Sequence, residues 1–236
     1  MMSRLMLLLS LFCIASTYQP PQLTMNFDVI CFDCDSTLSK IEGIDELAKY
    51  VGLGAEMSKL TDAAMNGEVA LEAVYEKRLS LIQPDIKSIN DLAELYISEI
   101  VEGVKEVFAI LLAQNKTVHI ISGGLRQAIL PLAHYLGLPE SHVHAVDVYF
   151  NEDGSYRTFD LNSPLTRTGG KATVVAMLKE QGSLVMIGDG KTDLEAQQAG
   201  AFVIGFGGVV DRAIVRERAD VYTTEPSLLS VLEHIL

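Results

Sequence analysis

Asp33-Cys34-Asp35-Ser36-Thr37 sets two carboxylates one residue apart, with two hydroxyls directly behind them. The stretch follows Phe27-Asp28-Val29-Ile30-Cys31-Phe32, whose β-branched and aromatic residues suit a buried strand. Carboxylates at this spacing, just past a strand, can point to one side of the chain and share a divalent cation. A phosphoryl group held there would meet both. Asp33 would attack phosphorus to form an aspartyl-phosphate, Asp35 would protonate the leaving oxygen and later activate water, and Thr37 would hold the loop. The plainer alternative is a capped turn with solvated carboxylates.

Three further loops carry parts that such chemistry needs. Val118 to Ile121 runs into Ser122-Gly123-Gly124, and a helix is expected to begin near Leu125. A hydroxyl and backbone N–H groups at a helix start suit phosphate oxygens, and the glycines permit close approach. Gly169-Gly170-Lys171 precedes a helix expected from about Ala172, so one ammonium stands where it could neutralise phosphate charge. Val185-Met186-Ile187 ends in Gly188-Asp189-Gly190-Lys191-Thr192-Asp193, another apolar run that delivers carboxylates to a glycine-rich tip. Asp189 would complete a site for a hard cation, and Asp193 would orient Lys171 or a water on that cation. Each loop alone also reads as an ordinary turn. Together they supply complementary parts for phosphoryl transfer. Cys34 could be a thiol nucleophile, but no partner base is identifiable for it. His142 and His144 alternate on a strand and could form a transition-metal pair, although no third ligand is nearby in sequence; strand-end packing is the default.

These loops need a frame. Short apolar strands are expected at Thr117 to Ser122, His142 to Val148, Leu184 to Ile187 and Ala201 to Gly205, alternating with helices. That alternation predicts an α/β fold with a parallel sheet and ligands at the carboxyl ends of its strands. Glu152-Asp153-Gly154 looks like a hairpin turn between Val146 to Phe150 and Tyr156 to Phe159. Between the first two sheet strands lies helical periodicity, roughly Ile44 to Tyr50, Ala55 to Met65, Leu71 to Leu81 and Ile89 to Ile100, broken by Gly52, Gly54, Gly67 and Pro84. Residues 40–102 therefore read as a small helical insertion in a core made of 25–39 and 103–236.

With 236 residues, 49% of them hydrophobic, the chain can bury a sizeable core. Thirty-one acidic against 18 basic side chains give −13, which opposes binding to nucleic acid or to an anionic membrane surface. The partner expected instead is a small phosphorylated metabolite, held by local charges and a cation. Cys13, Cys31 and Cys34 form no disulfide framework, so a reducing compartment, the cytoplasm, is favoured. Against this, Arg4 precedes an apolar run from Leu5 to Ala15 that resembles a secretory signal ending in Ala15 and Ser16. Residues 1–24 are either such a leader, which would make the protein secreted or periplasmic, or a segment outside the mature chain. The run is too short to span a bilayer comfortably, so no stable membrane association is expected.

In order, Asp33-Cys34-Asp35-Ser36-Thr37, Ser122, Lys171 and Gly188-Asp189-Gly190 with Asp193 resemble the four motifs of haloacid dehalogenase-like phosphatases. Glu42-Gly43-Ile44-Asp45-Glu46-Leu47-Ala48, Arg78-Leu79-Ser80-Leu81-Ile82-Gln83-Pro84, Ser122-Gly123-Gly124 and Ile204-Gly205-Phe206-Gly207-Gly208 extend the resemblance to the phosphoserine-hydrolysing branch of that family, over nearly everything from Met25 onward. The resemblance implies a Rossmann-like core, a helical cap over the site, Mg²⁺ and an aspartyl-phosphate intermediate. By position, Asp33 matches the nucleophile and Asp35 the acid/base; Asp33, Asp35 through its carbonyl, and Asp189 match the metal ligands. Glu42 and Arg78 match residues that recognise the substrate's amino and carboxylate groups, a sensible pairing of an anion with an ammonium and a guanidinium fork with a carboxylate. Met65, Gly123, Thr192 and Arg212 resemble pocket-lining positions, beside Ser122 and Lys171. The reaction implied is hydrolysis of L-phosphoserine to L-serine, a step of serine biosynthesis.

Three positions depart from the pattern. Leu71 stands where an aromatic residue usually precedes the cap arginine, Leu125 follows Ser-Gly-Gly in place of Phe, and Ala145-Val146 replaces Ala-Asn. They bear on the substrate more than on the reaction, and they leave open a phosphatase for another small phosphorylated amine or amino acid. The alternative from another class is a non-catalytic sensor of a phosphorylated ligand.

Overall fold

The computed structural model describes residues 26–236. The leader-like segment at 1–24, and the secretory expectation that rests on it, lie outside them. β1 (Val29–Phe32) is followed by α1 (Gly43–Tyr50), α2 (Gly54–Met65), α3 (Leu71–Ile82), α4 (Ile86–Ser98) and α5 (Val104–Ala113). Then come β2 (Thr117–Leu125), α6 (Arg126–Tyr135), β3 (Val143–Val146), β4 (Val148–Phe150), β5 (Tyr156–Phe159) and α7 (Gly170–Leu178). The chain closes with β6 (Leu184–Gly188), α8 (Lys191–Leu194), β7 (Phe202–Phe206), α9 (Ala213–Arg218) and β8 (Val221–Thr223).

The main sheet runs β3-β2-β1-β6-β7-β8 with every pair parallel. This is the α/β sheet the alternation of strands and helices implies. β1 is central, and all four of its residues are fully buried, as a parallel strand covered on both faces requires. Val29, Ile30 and Phe32 are each worth about 1.5–3 kcal/mol of burial, which anchors the strand and therefore its tip. From β1 the chain builds outward through β2 and β3 on one side, then crosses to β6, β7 and β8 on the other. A reversal of this kind opens a crevice at the carboxyl ends of the strands. The register makes the crevice specific: Phe32 pairs with Ile120 of β2 and Ile187 of β6, and the amide of Asp33 donates to the Ile187 carbonyl at 2.8 Å. The loops after β1, β2 and β6 thus leave the sheet side by side.

The helices α1–α4 fill the stretch between β1 and α5. In α3 the buried residues Leu71, Val74, Tyr75, Arg78, Leu79 and Ile82 recur at helical spacing, so one face turns inward and carries Arg78 with it. Gln83 takes a left-handed conformation (φ 48°) and Pro84 cannot continue the helix. α4 begins three residues before the expected Ile89, because the Asp85 side chain accepts the Ser88 amide at 2.7 Å and caps a first turn whose Ile86 stays exposed, outside the core. It stops at Ser98, short of the expected Ile100, which bridges to Ser39 in strand-like fashion. α4 packs against both α1 and α6.

β2 runs on through Ser122-Gly123-Gly124 to Leu125, three residues beyond the expected end, with a register shift against β3. The expected strand from His142 to Val148 divides: His142 closes a 3₁₀ turn (Glu140–His142), and β4 leaves β3 to pair with β5 across the expected hairpin. His142 and His144 meet a third imidazole that their local sequence does not show, His119 of β2. His144 Nε2 lies 3.1 Å from His119 Nδ1, the His142 ring stacks on His119 at 4.4 Å, and His142 Nδ1 bonds the Val118 carbonyl at 2.9 Å. The three rings pack together at the edge of the sheet. Among the described residues no helix is long and apolar enough to cross a membrane.

Candidate active site

Asp33 sits at the tip of β1, nearly buried, with the Cys34 amide donating to its Oδ1 at 2.8 Å. Lys171 Nζ lies 2.8 Å from the same oxygen and 2.6 Å from Asp193 Oδ1. Burial works against the Lys171 charge, but Asp193 and Asp33 outweigh it and hold the ammonium protonated. The lysine reaches this point from the first turn of α7, whose preceding Gly169 amide is held by Glu195 Oε2 at 2.7 Å. Asp193 is fixed in turn by the Gly190 amide, 2.9 Å from its Oδ2. Gly188 makes room for it: a Cβ there would lie 2.1 Å from the Asp193 Cγ.

Asp35 has a separate set of partners. Its Oδ1 accepts the Gly43 amide at 2.6 Å and the Tyr96 hydroxyl at 2.8 Å, while its Oδ2 stands 3.4 Å from Ser122 Oγ. Burial first, and the neighbouring Asp33 charge second, raise its pKa to about 6. A carboxyl poised there can both give and take a proton near neutrality. Thr37, expected to hold this loop, does not do so through its side chain, since its buried hydroxyl has no partner among the described residues. Backbone bonds close the loop instead, from the amides of Leu38 and Ser39 to the Cys34 carbonyl and from Ser36 to Ile41. The Cys34 thiol is buried, and burial together with the Asp35 and Asp33 charges pushes its pKa well up, away from nucleophilic use.

Asp33, Asp189 and Asp193 each bring one carboxylate oxygen within 4.8 Å of the others, all three residues being buried. Burial and the Asp33 charge raise the pKa of Asp189 to about 7. So much carboxylate in one buried place calls for positive charge, and an all-oxygen donor set suits a hard divalent cation. Asp193 already has both oxygens engaged by Lys171 and Gly190, so Asp33 and Asp189 are the members free to hold such an ion.

A cavity opens above these groups. Asp33, Asp35, Glu42, Met65, Arg78, Ser122, Gly123, Lys171, Asp189 and Thr192 all line it. Arg212 and Asp193 stand behind the wall. Arg212 Nε donates to Asp189 Oδ2 and its Nη1 to Asp62 Oδ1, both at 3.1 Å, with Glu42 Oε1 3.8 Å from Nη2. Its charge therefore reaches the cavity through Asp189 and Glu42. Arg78 is buried on the wall, its Nη1 3.2 Å from Thr61 Oγ1, and Thr61 donates to Asp45 at 2.7 Å. The Nε of Arg78 has no partner among the described residues. A buried guanidinium N–H without an acceptor asks for an anion from the cavity side. Glu42 accepts from Ser36 Oγ at 2.7 Å, and burial with the charges of Asp35 and Asp189 raises its pKa well above the usual range, so a cation beside it would be welcome.

Leu71 and Leu125 line the cavity, whereas Val146 is buried in the core opposite Leu125 and does not reach it. Tyr75, Tyr96, Thr61 and Glu195 also line it and were not singled out in sequence. Tyr75 shares the inward face of α3 with Arg78 and donates to the Gly123 carbonyl at 2.8 Å. A tyrosine on an apolar helix face is the one available signal, because its hydroxyl needs a partner when buried.

The sequence model for the haloacid dehalogenase-like hydrolases matches residues 27–200, and the chain belongs to that family. Relatives there include phosphoserine phosphatases. The one from Drosophila melanogaster is 38% identical over 223 residues, covering 90% of this chain and 83% of its own length. The one from Homo sapiens is 38% identical over 216 residues, covering 90% and 96%. Among solved structures, a phospho-aspartyl intermediate analogue of phosphoserine phosphatase superposes with a TM-score of 0.76 at 25% identity, over 90% of this chain and all of that one. A phosphoserine phosphohydrolase-like protein from Francisella tularensis gives 0.79 at 26% identity, over 88% of this chain and 100% of that one. The chain is an enzyme of the phosphomonoesterase type.

Proposed function

We propose that this enzyme hydrolyses L-phosphoserine to L-serine and inorganic phosphate through an aspartyl-phosphate on Asp33. The observation that carries the reading is that Arg78, whose Nε has no partner among the described residues, and Glu42 line the same cavity as Asp33, Asp35 and Lys171. The first suits a carboxylate and the second an ammonium, beside the groups that handle phosphate.

Asp33 attacks phosphorus as the bond to the serine oxygen breaks, and Asp35 gives its proton to that oxygen. Water then attacks the aspartyl-phosphate, Asp35 takes its proton, and Asp33 leaves. Lys171 and Ser122 face the phosphoryl oxygens, with Asp193 keeping Lys171 in place. Asp33, Asp189 and the carbonyl of Asp35 would hold Mg²⁺, which supplies positive charge against the phosphoryl oxygens when bound. Residues 40–102 serve as the cap and supply Glu42, Met65 and Arg78; 25–39 and 103–236 form the core. The free, buried Cys31 and Cys34 suit a reducing, cytoplasmic setting.

Leu71 and Leu125 on the wall favour one second reading, a related phosphorylated amine or amino acid as substrate. Phosphate release from phosphoserine, phosphoethanolamine and phosphothreonine separates the two: preference for phosphoserine supports the proposal, and preference for either of the others replaces it.

A further inference from the structure

Tyr96 is fully buried on the inward face of α4, in phase with Ile89, Leu92 and Ala93. Its hydroxyl is 2.8 Å from Asp35 Oδ1, the oxygen that also accepts the Gly43 amide at 2.6 Å. The contact depends on Gly43, where a Cβ would lie 2.1 Å from the tyrosine Oη. The direction of the bond follows from the surroundings. Among the described residues the Tyr96 hydroxyl has no other partner, so accepting from Asp35 would leave its own proton buried and unbonded. It therefore donates. Two donors then occupy the lone pairs of Oδ1, and a proton on Asp35 can sit only on Oδ2. That oxygen faces the Ser122–Gly124 loop on the cavity wall: Ser122 Oγ is 3.4 Å away, and a Cβ at Gly124 would come within 3.1 Å.

We propose that Tyr96 is a positioning residue for Asp35, holding Oδ1 so that Oδ2 presents the proton to the leaving oxygen. The proposal rests on the roles of Asp33 and Asp35 given above. In the step it serves, the bond from Asp33 to phosphorus forms, the bond from phosphorus to the serine oxygen breaks with its electron pair going to oxygen, and the Oδ2 proton moves to that oxygen. Tyr96 neither gains nor loses a proton.

The test exploits the leaving group. Serine leaves as an alkoxide that needs the proton, whereas p-nitrophenolate leaves without it, and kcat/KM reports only the steps through the first bond cleavage. In Tyr96→Phe the ring stays and the donor goes. With Mg²⁺ present, kcat/KM on phosphoserine should fall about 10- to 100-fold, a part of what general acid catalysis contributes, while the value on p-nitrophenyl phosphate falls less than about threefold, which also reports an intact fold and nucleophile. Tyr96→Met should show the same split and serves if the Phe protein fails to fold. Equal falls on both substrates, or phosphoserine kinetics within about threefold of wild type, overturn the proposal. A wild-type protein inactive on phosphoserine, or an Asp33→Asn protein that retains turnover, overturns the underlying reading and this proposal with it, an outcome recognisable without any Tyr96 variant.

Discussion

Arg78→Met asks whether the cavity reads a carboxylate. The side chain is 5% exposed, one of its nitrogens is spent on Thr61 and its Nε has no partner. Methionine retains most of the buried stem volume and removes the charge. Thr61 keeps its bond to Asp45, so the loss inside the protein is small. A hydrogen bond to a charged group contributes about 1.5–3 kcal/mol, and the desolvation of the guanidinium is already met in the folded protein. A substrate carboxylate bound by Arg78 therefore accounts for about 3 kcal/mol, or roughly 150-fold in kcat/KM. Phosphoethanolamine has no carboxylate and should lose less than about threefold. Steady-state kinetics of both proteins on both substrates give the coupling directly. The same fall on the two substrates would show Arg78 to be structural, and an unchanged phosphoserine rate would remove it from the pocket.

Lys171→Met strips the charge between Asp33 and Asp193 and should lower stability by about 3–5 kcal/mol, as breaking a buried ion pair does, together with activity; urea melts check it, and an unchanged midpoint refutes it. Gly188→Ala drives a methyl into Asp193 and should cut kcat at least about tenfold through the displaced Lys171, with a near-native circular dichroism spectrum; wild-type kcat would show that Asp193 has room to move. Burial first, then His142 and His144, lower the His119 pKa from 6.5 to about 4. Between these values the unfolded chain binds the extra proton, so this stability is complete above pH 6.5 and is lost as pH falls towards 4, about 3 kcal/mol in all. Unfolding midpoints over that window should slope less in His119→Phe than in wild type, and parallel curves would contradict the assignment.

Much of the frame was legible because its signals are local. Val29–Phe32 is a continuous apolar run and became the central strand, and the glycine-rich ends of β2 and β6 mark where the sheet hands over to the site. The start of α4 was not, because it is fixed by the Asp85 side chain capping the Ser88 amide and not by core burial, Ile86 being exposed. The site separates along the same line. Carboxylates crowded at strand ends are visible one loop at a time, but whether Arg212 faces the cavity or braces Asp189 depends on residues far apart in the chain. Tyr75 and Tyr96 occupy apolar helix positions and read as core until their hydroxyl partners, Gly123 and Asp35, are seen across the cavity. The cluster at His119 is assembled by strand pairing, which no spacing within one segment reveals. Thr37 is the converse case: a hydroxyl in a suggestive place that takes no part in closing its loop.

Phosphate release from L-phosphoserine by the full chain with Mg²⁺, beside Asp33→Asn, tests the central claim most directly. Saturable turnover that exceeds that on phosphoethanolamine and phosphothreonine, and that Asp33→Asn abolishes, is the expected result. Turnover that survives the loss of the Asp33 carboxylate, or a wild-type protein that binds phosphoserine and releases no phosphate, would contradict it.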